Sequence, residues 1–304
     1  MKEIILKTDN LTKKYKNFIA LDNVNIEIRK GDIYGIIGRN GAGKTTLMKI
    51  ITTLASKTDG EFYLFNHKDT DLKETKRRIG SLIETPAFFP NLNAYDNLKY
   101  YSIQKGIIDK EQINEALKLV GLNDIKKKCF KNFSLGMKQR LGIAFAILDN
   151  PDFIILDEPI NGLDPIGISD LRETFKKLNE ERNITILISS HILSELYVLA
   201  TRFGIIEKGK VIKELSKEEL DSECSKCISI RTDDVKKVAI VLEKELNTTN
   251  YKVIDNEEIK LYDYLEQSQK VNKLLVQKDI NIKQIRETGI SLEDYFKSLI
   301  KEEH

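Results

Sequence analysis

The chain has 304 residues, 41% of them hydrophobic and 32% charged, a composition that suits a water-soluble fold with one large core and room for a smaller second one. No apolar run approaches the roughly 18 residues of a bilayer crossing, and the N-terminal MKEIILKTDN lacks the apolar stretch of a secretory signal. A net charge of +2, from 49 basic and 47 acidic residues, does not argue for a nucleic-acid binder, which usually carries a strong basic excess or patch.

In chain order, EIILKT reads as a strand. VNIEIRKG follows, with apolar Val24, Ile26 and Ile28 at alternate positions. The continuous apolar strand IYGIIG then runs into a glycine-rich loop and the helix KTTLMKIITTLA. Strand, glycine loop and helix open an α/β unit built on a buried parallel strand. KETKRR, Lys73–Arg78, is the densest basic run and reads as a solvated helix face.

From about Asn91 to Cys129, NAYDNLKYYSIQKG and DKEQINEALKLVGL place apolar residues at helical spacing, with Gly106 and Gly121 as stops. This predicts a helical insertion, with a helical subdomain over about 88–140. The α/β alternation then resumes: helix MKQRLGIAFAILDN, strand DFIILD, helix GISDLRETFKKLNEE with Pro165 near its start, strand NITILISS, helix ILSELYVLA, and strands RFGIIEKG and KVIKEL. KEELDSECSK reads as a charged linker. Beyond it, six elements in β-α-β-β-α-β order and a final helix, SLEDYFKSLIKE, predict a small α+β domain. The expected boundaries are 1–215 and 216–304. Cys129, Cys224 and Cys227 are an odd set expected to stay reduced, and the C-x-x-C of the last two lacks the second pair of a zinc site.

The strongest chemical signal is GRNGAGKT, Gly38–Thr45, which fits the P-loop pattern between a strand and a helix. Its glycines let backbone N–H groups curl around an anion, and the helix N-terminus adds partial positive charge. Gly38, Arg39, Asn40, Gly41, Ala42, Gly43, Lys44, Thr45 and the following Thr46 are therefore candidate nucleotide-binding residues, with Lys44 on the β- and γ-phosphates and the Thr45 hydroxyl on Mg²⁺. In FIILDEP, Phe153–Pro159, a buried strand ends in two acids. Asp157 is the candidate Mg²⁺-side carboxylate, and Glu158 the candidate general base for an attacking water. NFSLGMKQR, Asn132–Arg140, reads in isolation as an ordinary helix start capped by Ser134.

GRNGAGKT, FSLGMKQR, ILDEP, NGLD (Asn161–Asp164) and SSHIL, in this order, resemble an ATP-binding cassette (ABC) ATPase over roughly residues 1–215. The resemblance implies a P-loop NTPase fold with a parallel sheet core, N-terminal antiparallel strands and a helical insertion, here followed by the α+β domain. It implies that two copies pair head to tail around ATP and Mg²⁺. Ser134 and Gly136 would face the γ-phosphate bound by the other copy, although Phe133, Leu135 and Met137 depart from the usual Leu-Ser-Gly-Gly-Gln. It also implies that Tyr15 stacks on adenine, that His191 contacts the γ-phosphate, and that Asp164 communicates across the dimer.

The strand entering the helical insertion ends in SLIETPAFFP. The family places a glutamine there, on Mg²⁺ and the attacking water; this chain has Glu84. A glutamate can still ligand the metal but adds negative charge beside a triphosphate. In this residue, and in GDIYGIIGRNGAGKTT, FSLGMKQR and SLEDYFKSLI, the chain is similar to exporters conferring bacitracin resistance and lantibiotic immunity. The implied role is the ATPase subunit of such an exporter, peripheral on the cytoplasmic face of the cell membrane beside a separate permease, with no nucleic acid as partner. The rival cargoes are a drug or a lipid. A translation ATPase would carry two cassettes, and a DNA-repair ATPase would separate Lys44 from Ser134 by a long coiled coil; neither suits this sequence.

Overall fold

Residues Ile4–Tyr15 form β1, which buries Ile5, Leu6, Thr8, Leu11 and Thr12. It is longer than EIILKT suggests. Irregularities in register between Leu11 and Lys13, and between Asp9 and Thr12, let one bent strand pair with β2 (Phe18–Val24), β3 (Glu27–Arg29) and β5 (Asp59–Leu64) in turn. The computed structural model describes residues 2–84, 87–107, 109–125 and 127–301, and the chain divides after Lys217 into two compact units.

In the first unit, β4 (Ile33–Ile37) is buried at every position and leads into α1 (Lys44–Ile51). The strands β5 and β6 (His67–Lys68) complete the N-terminal antiparallel sheet, and β7 (Ile79–Leu82) precedes the helical segment. The basic run expected on a helix face has only a short 3₁₀ turn at Lys76–Arg78. The helical segment comprises α2 (Ala94–Gln104), α3 (Lys110–Leu119) and α4 (Leu135–Ile147). Asn93, Asp109 and Ser134 cap them with side-chain oxygens. Then follow β8 (Phe153–Leu156), α5 (Pro165–Glu180) with Pro165 in its first turn, β9 (Thr185–Ser190), α6 (Leu193–Tyr197), β10 (Arg202–Glu207) and β11 (Lys210–Ser216).

The core sheet has the order β11-β10-β4-β9-β8-β7, parallel except for the edge strand β11. In such a sheet all loops at the carboxyl ends of the strands open on one edge, where ligands bind. The loops after β4, β7, β8 and β9 carry the P-loop, Glu84, Asp157–Glu158 and His191 respectively.

The segment expected to be a charged linker is instead α7 (Lys217–Cys224). Its Lys-Glu-Glu-Leu start favours helix, and the buried Leu220 gives it an anchor that charge density alone conceals. The second unit runs β12 (Cys227–Thr232), α8 (Val235–Glu245), β13 (Tyr251–Val253), β14 (Glu258–Leu261), α9 (Ser268–Gln277) and β15 (Ile282–Thr288). Its antiparallel sheet has the order β13-β14-β12-β15, the split β-α-β arrangement. Ile228, Ile230, Ile259 and Leu261 from the sheet pack with Val238, Leu242, Val271 and Leu275 from the two helices. The final helix, α10, covers Leu292–Lys301; Glu302, at the end of the expected helix, lies outside the described residues, as do Thr85 and Pro86 beside Glu84.

Candidate functional site

The P-loop cannot carry side chains at two of its glycines. A Cβ on Gly38 would stand 2.4 Å from the Ile206 carbonyl oxygen, and one on Gly43 would stand 2.7 Å from that of Ala20. Gly43 also caps α1 at φ 113°, in the left-handed region. The loop therefore sits hard against β10 and β2, and it and the start of α1 border a hollow of about 250 Å³. Phe18, Asn40, Gly41, Gly43, Lys44, Thr45, Thr46 and Glu158 line it. Arg39 and Ala42 line an adjoining hollow.

Lys44 is buried, only 4% exposed. Its Nζ donates to the carbonyl oxygens of Gly38 at 2.8 Å and Arg39 at 3.2 Å, and lies 3.2 Å from Glu158 Oε1. A buried ammonium needs such partners, and anionic phosphate oxygens could take their place. Thr45 Oγ1 donates to Asp157 Oδ2 at 2.7 Å, and Ser189 Oγ donates to Asp157 Oδ1 at the same distance. Ser189 also accepts from the Glu158 backbone N–H at 2.8 Å. Asn161 Nδ2 donates to Glu158 Oε2 at 3.1 Å. His191 Nδ1 lies 3.3 Å from that oxygen, but the alignment is not that of a hydrogen bond, and this buried nitrogen has no hydrogen-bond partner among the described residues.

The ladder between β7 and β8 brings the fourth loop in. Asp157 N–H donates to the Leu82 carbonyl at 2.9 Å, two residues before Glu84. The Glu84 side chain is 67% exposed but not solitary: its Oε1 meets Lys49 Nζ at 2.5 Å. That hydrogen bond is the main cause that raises the Lys49 pKa, and Glu84 and Asp157 both add electrostatic attraction. Glu84 and Glu158 both hold left-handed backbone, at φ 63° and 46°. That conformation is uncommon for glutamate and clusters at functional sites.

Other candidates lie elsewhere. Ser134 caps α4 by accepting from Met137 N–H at 3.3 Å, and Asp164 caps α5 by accepting from Gly167 N–H at 2.9 Å. With Gly136, Leu135 and Gly162 they line a separate hollow of about 400 Å³ that shares no lining residue with that of the P-loop. Tyr15 stands at the end of β1, 46% exposed, with Lys13 Nζ 4.7 Å from its ring centre. It does not line the P-loop hollow; Phe18, three residues on, does.

The geometry gathers Lys44, Thr45, Asp157, Glu158 and His191 from three segments, with Glu84 from a fourth at the rim. Sequence reading did not single out Phe18, Lys49, Asn161 or Ser189. Ser189 was available as the first serine of SSHIL, and Lys49 as the basic residue one helical turn after Thr45.

The profile of the ABC transporter family matches residues 21–161. The bacitracin transport ATP-binding protein BcrA of Bacillus licheniformis is 44% identical over 97% of this chain and 97% of its own length. The chain belongs to the ABC transporter ATP-binding proteins. This cassette is also 49% identical to the lantibiotic transport ATP-binding protein SrtF of Streptococcus pyogenes, over 69% of this chain and 90% of that protein. Among solved structures, a dimeric post-hydrolysis state of the ATP-binding cassette MJ0796 bound to ADP and Pi is similar, with TM-score 0.64 and 30% identity over 70% of this chain and 99% of that one. The cassette is thus an ATP-binding ATPase of the transporter class, with a parallel P-loop core. Among its described residues no helix is long and apolar enough to cross a membrane.

Proposed function

We propose that this cassette is the ATPase subunit of an exporter that removes a bacitracin-type antimicrobial peptide through a separate membrane permease, to which it binds at the cytoplasmic face. One observation carries the cargo reading: similarity to the bacitracin transport protein runs through 97% of both chains, and so takes in the second unit. The 210 residues shared with the lantibiotic protein are too few to do so in full.

The site residues support a division of labour. Lys44 and the P-loop N–H groups hold the phosphates. The oxygens of Thr45, Asp157 and Glu84 make a hard donor set that fits Mg²⁺, which when bound would draw charge from the β- and γ-phosphates. Glu158 takes the proton of the attacking water, Asn161 holds Glu158 in place by its hydrogen bond, and His191 contacts the γ-phosphate. Positioning and charge stabilisation supply most of the acceleration. The hollow at Ser134, Gly136 and Asp164 faces the nucleotide of a second copy, and Tyr15 and Phe18 form the adenine platform.

The test is to extract the intact chain gently from its native membranes and identify what accompanies it, alongside a Lys44→Met strain challenged with bacitracin. A co-purifying multi-span protein and loss of resistance are expected. Co-purification with ribosomes or DNA would overturn the transport reading. Unchanged bacitracin tolerance with a membrane partner present would overturn the cargo alone.

A further inference from the structure

We propose that Lys49 is a positioning residue for Glu84: it holds this carboxylate against the P-loop helix and releases it when Glu84 turns to a metal bound with nucleotide. The inference rests on the reading of Glu84 as a metal-side residue.

Lys49 follows Thr45 by one turn of α1, on the same face. Thr45 points at Asp157, and Asp157 is tied through its backbone to Leu82, two residues before Glu84. Lys49 therefore stands beside the metal-side carboxylates, and its hydrogen bond goes to Glu84 rather than to Asp157, whose oxygens each accept from a hydroxyl. Three carboxylates, Glu84, Asp157 and Glu158, converge on this edge. Their like charges repel one another. The two glutamates are each paired to a lysine of the same helix: Glu158 to Lys44 at 3.2 Å and Glu84 to Lys49 at 2.5 Å.

The two pairs differ in a way that suits exchange. Lys44 is buried, whereas the side chains of Lys49 and Glu84 are 31% and 67% exposed. An ion pair so open to water is worth little, so Glu84 can leave it readily. A glutamine at position 84 would bring no negative charge for Lys49 to hold. The lysine's part is thus specific to a glutamate at this position.

The test uses the full chain with ADP and Mn²⁺ in place of Mg²⁺, reading free Mn²⁺ by its electron paramagnetic resonance signal. Lys49→Met should tighten Mn²⁺ binding about two- to fivefold, the range that an exposed ion pair can supply, and Lys49→Arg should restore the wild-type value. In a Glu84→Gln background Lys49→Met should have no such effect, because nothing remains to be released. Equal tightening in both backgrounds would show simple repulsion between lysine and metal and would overturn the proposal, as would no change in either. Glu84→Gln alone separates the premise: a wild-type Mn²⁺ affinity in that variant would remove Glu84 from the metal, and the proposal with it.

Discussion

Replacing Glu158 by glutamine should strengthen nucleotide binding while it stops hydrolysis. Lys44 is engaged by Glu158 at 3.2 Å and by two carbonyls, partners that a phosphate must displace. At that distance, with an effective dielectric of about 20, the charges attract by ~5 kcal/mol. Most of this is regained as Glu158 rehydrates and as Lys44 meets the phosphates. What remains falls at the low end of the ~1.5–7 kcal/mol coupling of close charge pairs. A residue of about 1–2 kcal/mol corresponds to roughly five- to thirtyfold in affinity. Glutamine keeps the shape and the acceptor for Asn161 but gives up the charge. Calorimetric titration with ADP, at protein concentrations that keep the chain monomeric, should therefore show five- to thirtyfold tighter binding by Glu158→Gln. Adenosine, which has no phosphate to offer Lys44, should bind both proteins alike. ATP turnover should fall by about 10²–10⁴, as expected when a general base is lost. An unchanged ADP affinity would refute the idea that the ion pair stands between Lys44 and the nucleotide. Wild-type turnover would remove Glu158 from the base role.

Two further outcomes are expected. Ser189→Ala leaves a Glu158 backbone N–H without its acceptor and Asp157 without one of its two hydroxyl donors; it should cost about 1–3 kcal/mol of stability and lower kcat roughly tenfold, with ADP affinity held within about threefold, and a variant with wild-type kcat and melting temperature would dismiss the bridge. Burial raises the Glu214 carboxyl above the usual carboxylate range, against the opposing hydrogen bond from fully buried Tyr34. A raised value means that the folded chain disfavours the ionised form, so the stability this group contributes is present below its unfolded pKa and lost as pH rises through the folded one. Glu214→Gln should therefore stabilise the chain near pH 7.5, by an amount that solvent screening keeps under about 1 kcal/mol and that is read as a rise in melting temperature, and should have no effect near pH 4; an equal shift at both pH values would exclude this origin.

Much of the fold and of the nucleotide chemistry follows from local pattern. A buried strand such as IYGII needs an unbroken apolar run, and a glycine loop before a helix start builds an anion cradle from backbone alone, so GRNGAGKT is legible residue by residue. The same holds for FIIL followed by Asp157 and Glu158, and for Ser134 and Pro165 at helix starts. Helix α7 was hidden because its apolar anchorage is the single residue Leu220, which a charge count overlooks.

Only the tertiary structure decided which charges meet. The order β10-β4-β9-β8-β7 sets four loops, far apart in sequence, on one sheet edge. That order fixes Ser189 between Asp157 and Glu158, Lys44 against Glu158, and Lys49 against Glu84. It also separates Ser134, Gly136 and Asp164 from the P-loop, and sets Phe18 rather than Tyr15 on the wall of the P-loop hollow. The physical reason is range. Strand and helix periodicity act over a few residues, whereas an ion pair or a shared hydroxyl depends on distances across strands that neighbour one another only once the sheet has formed.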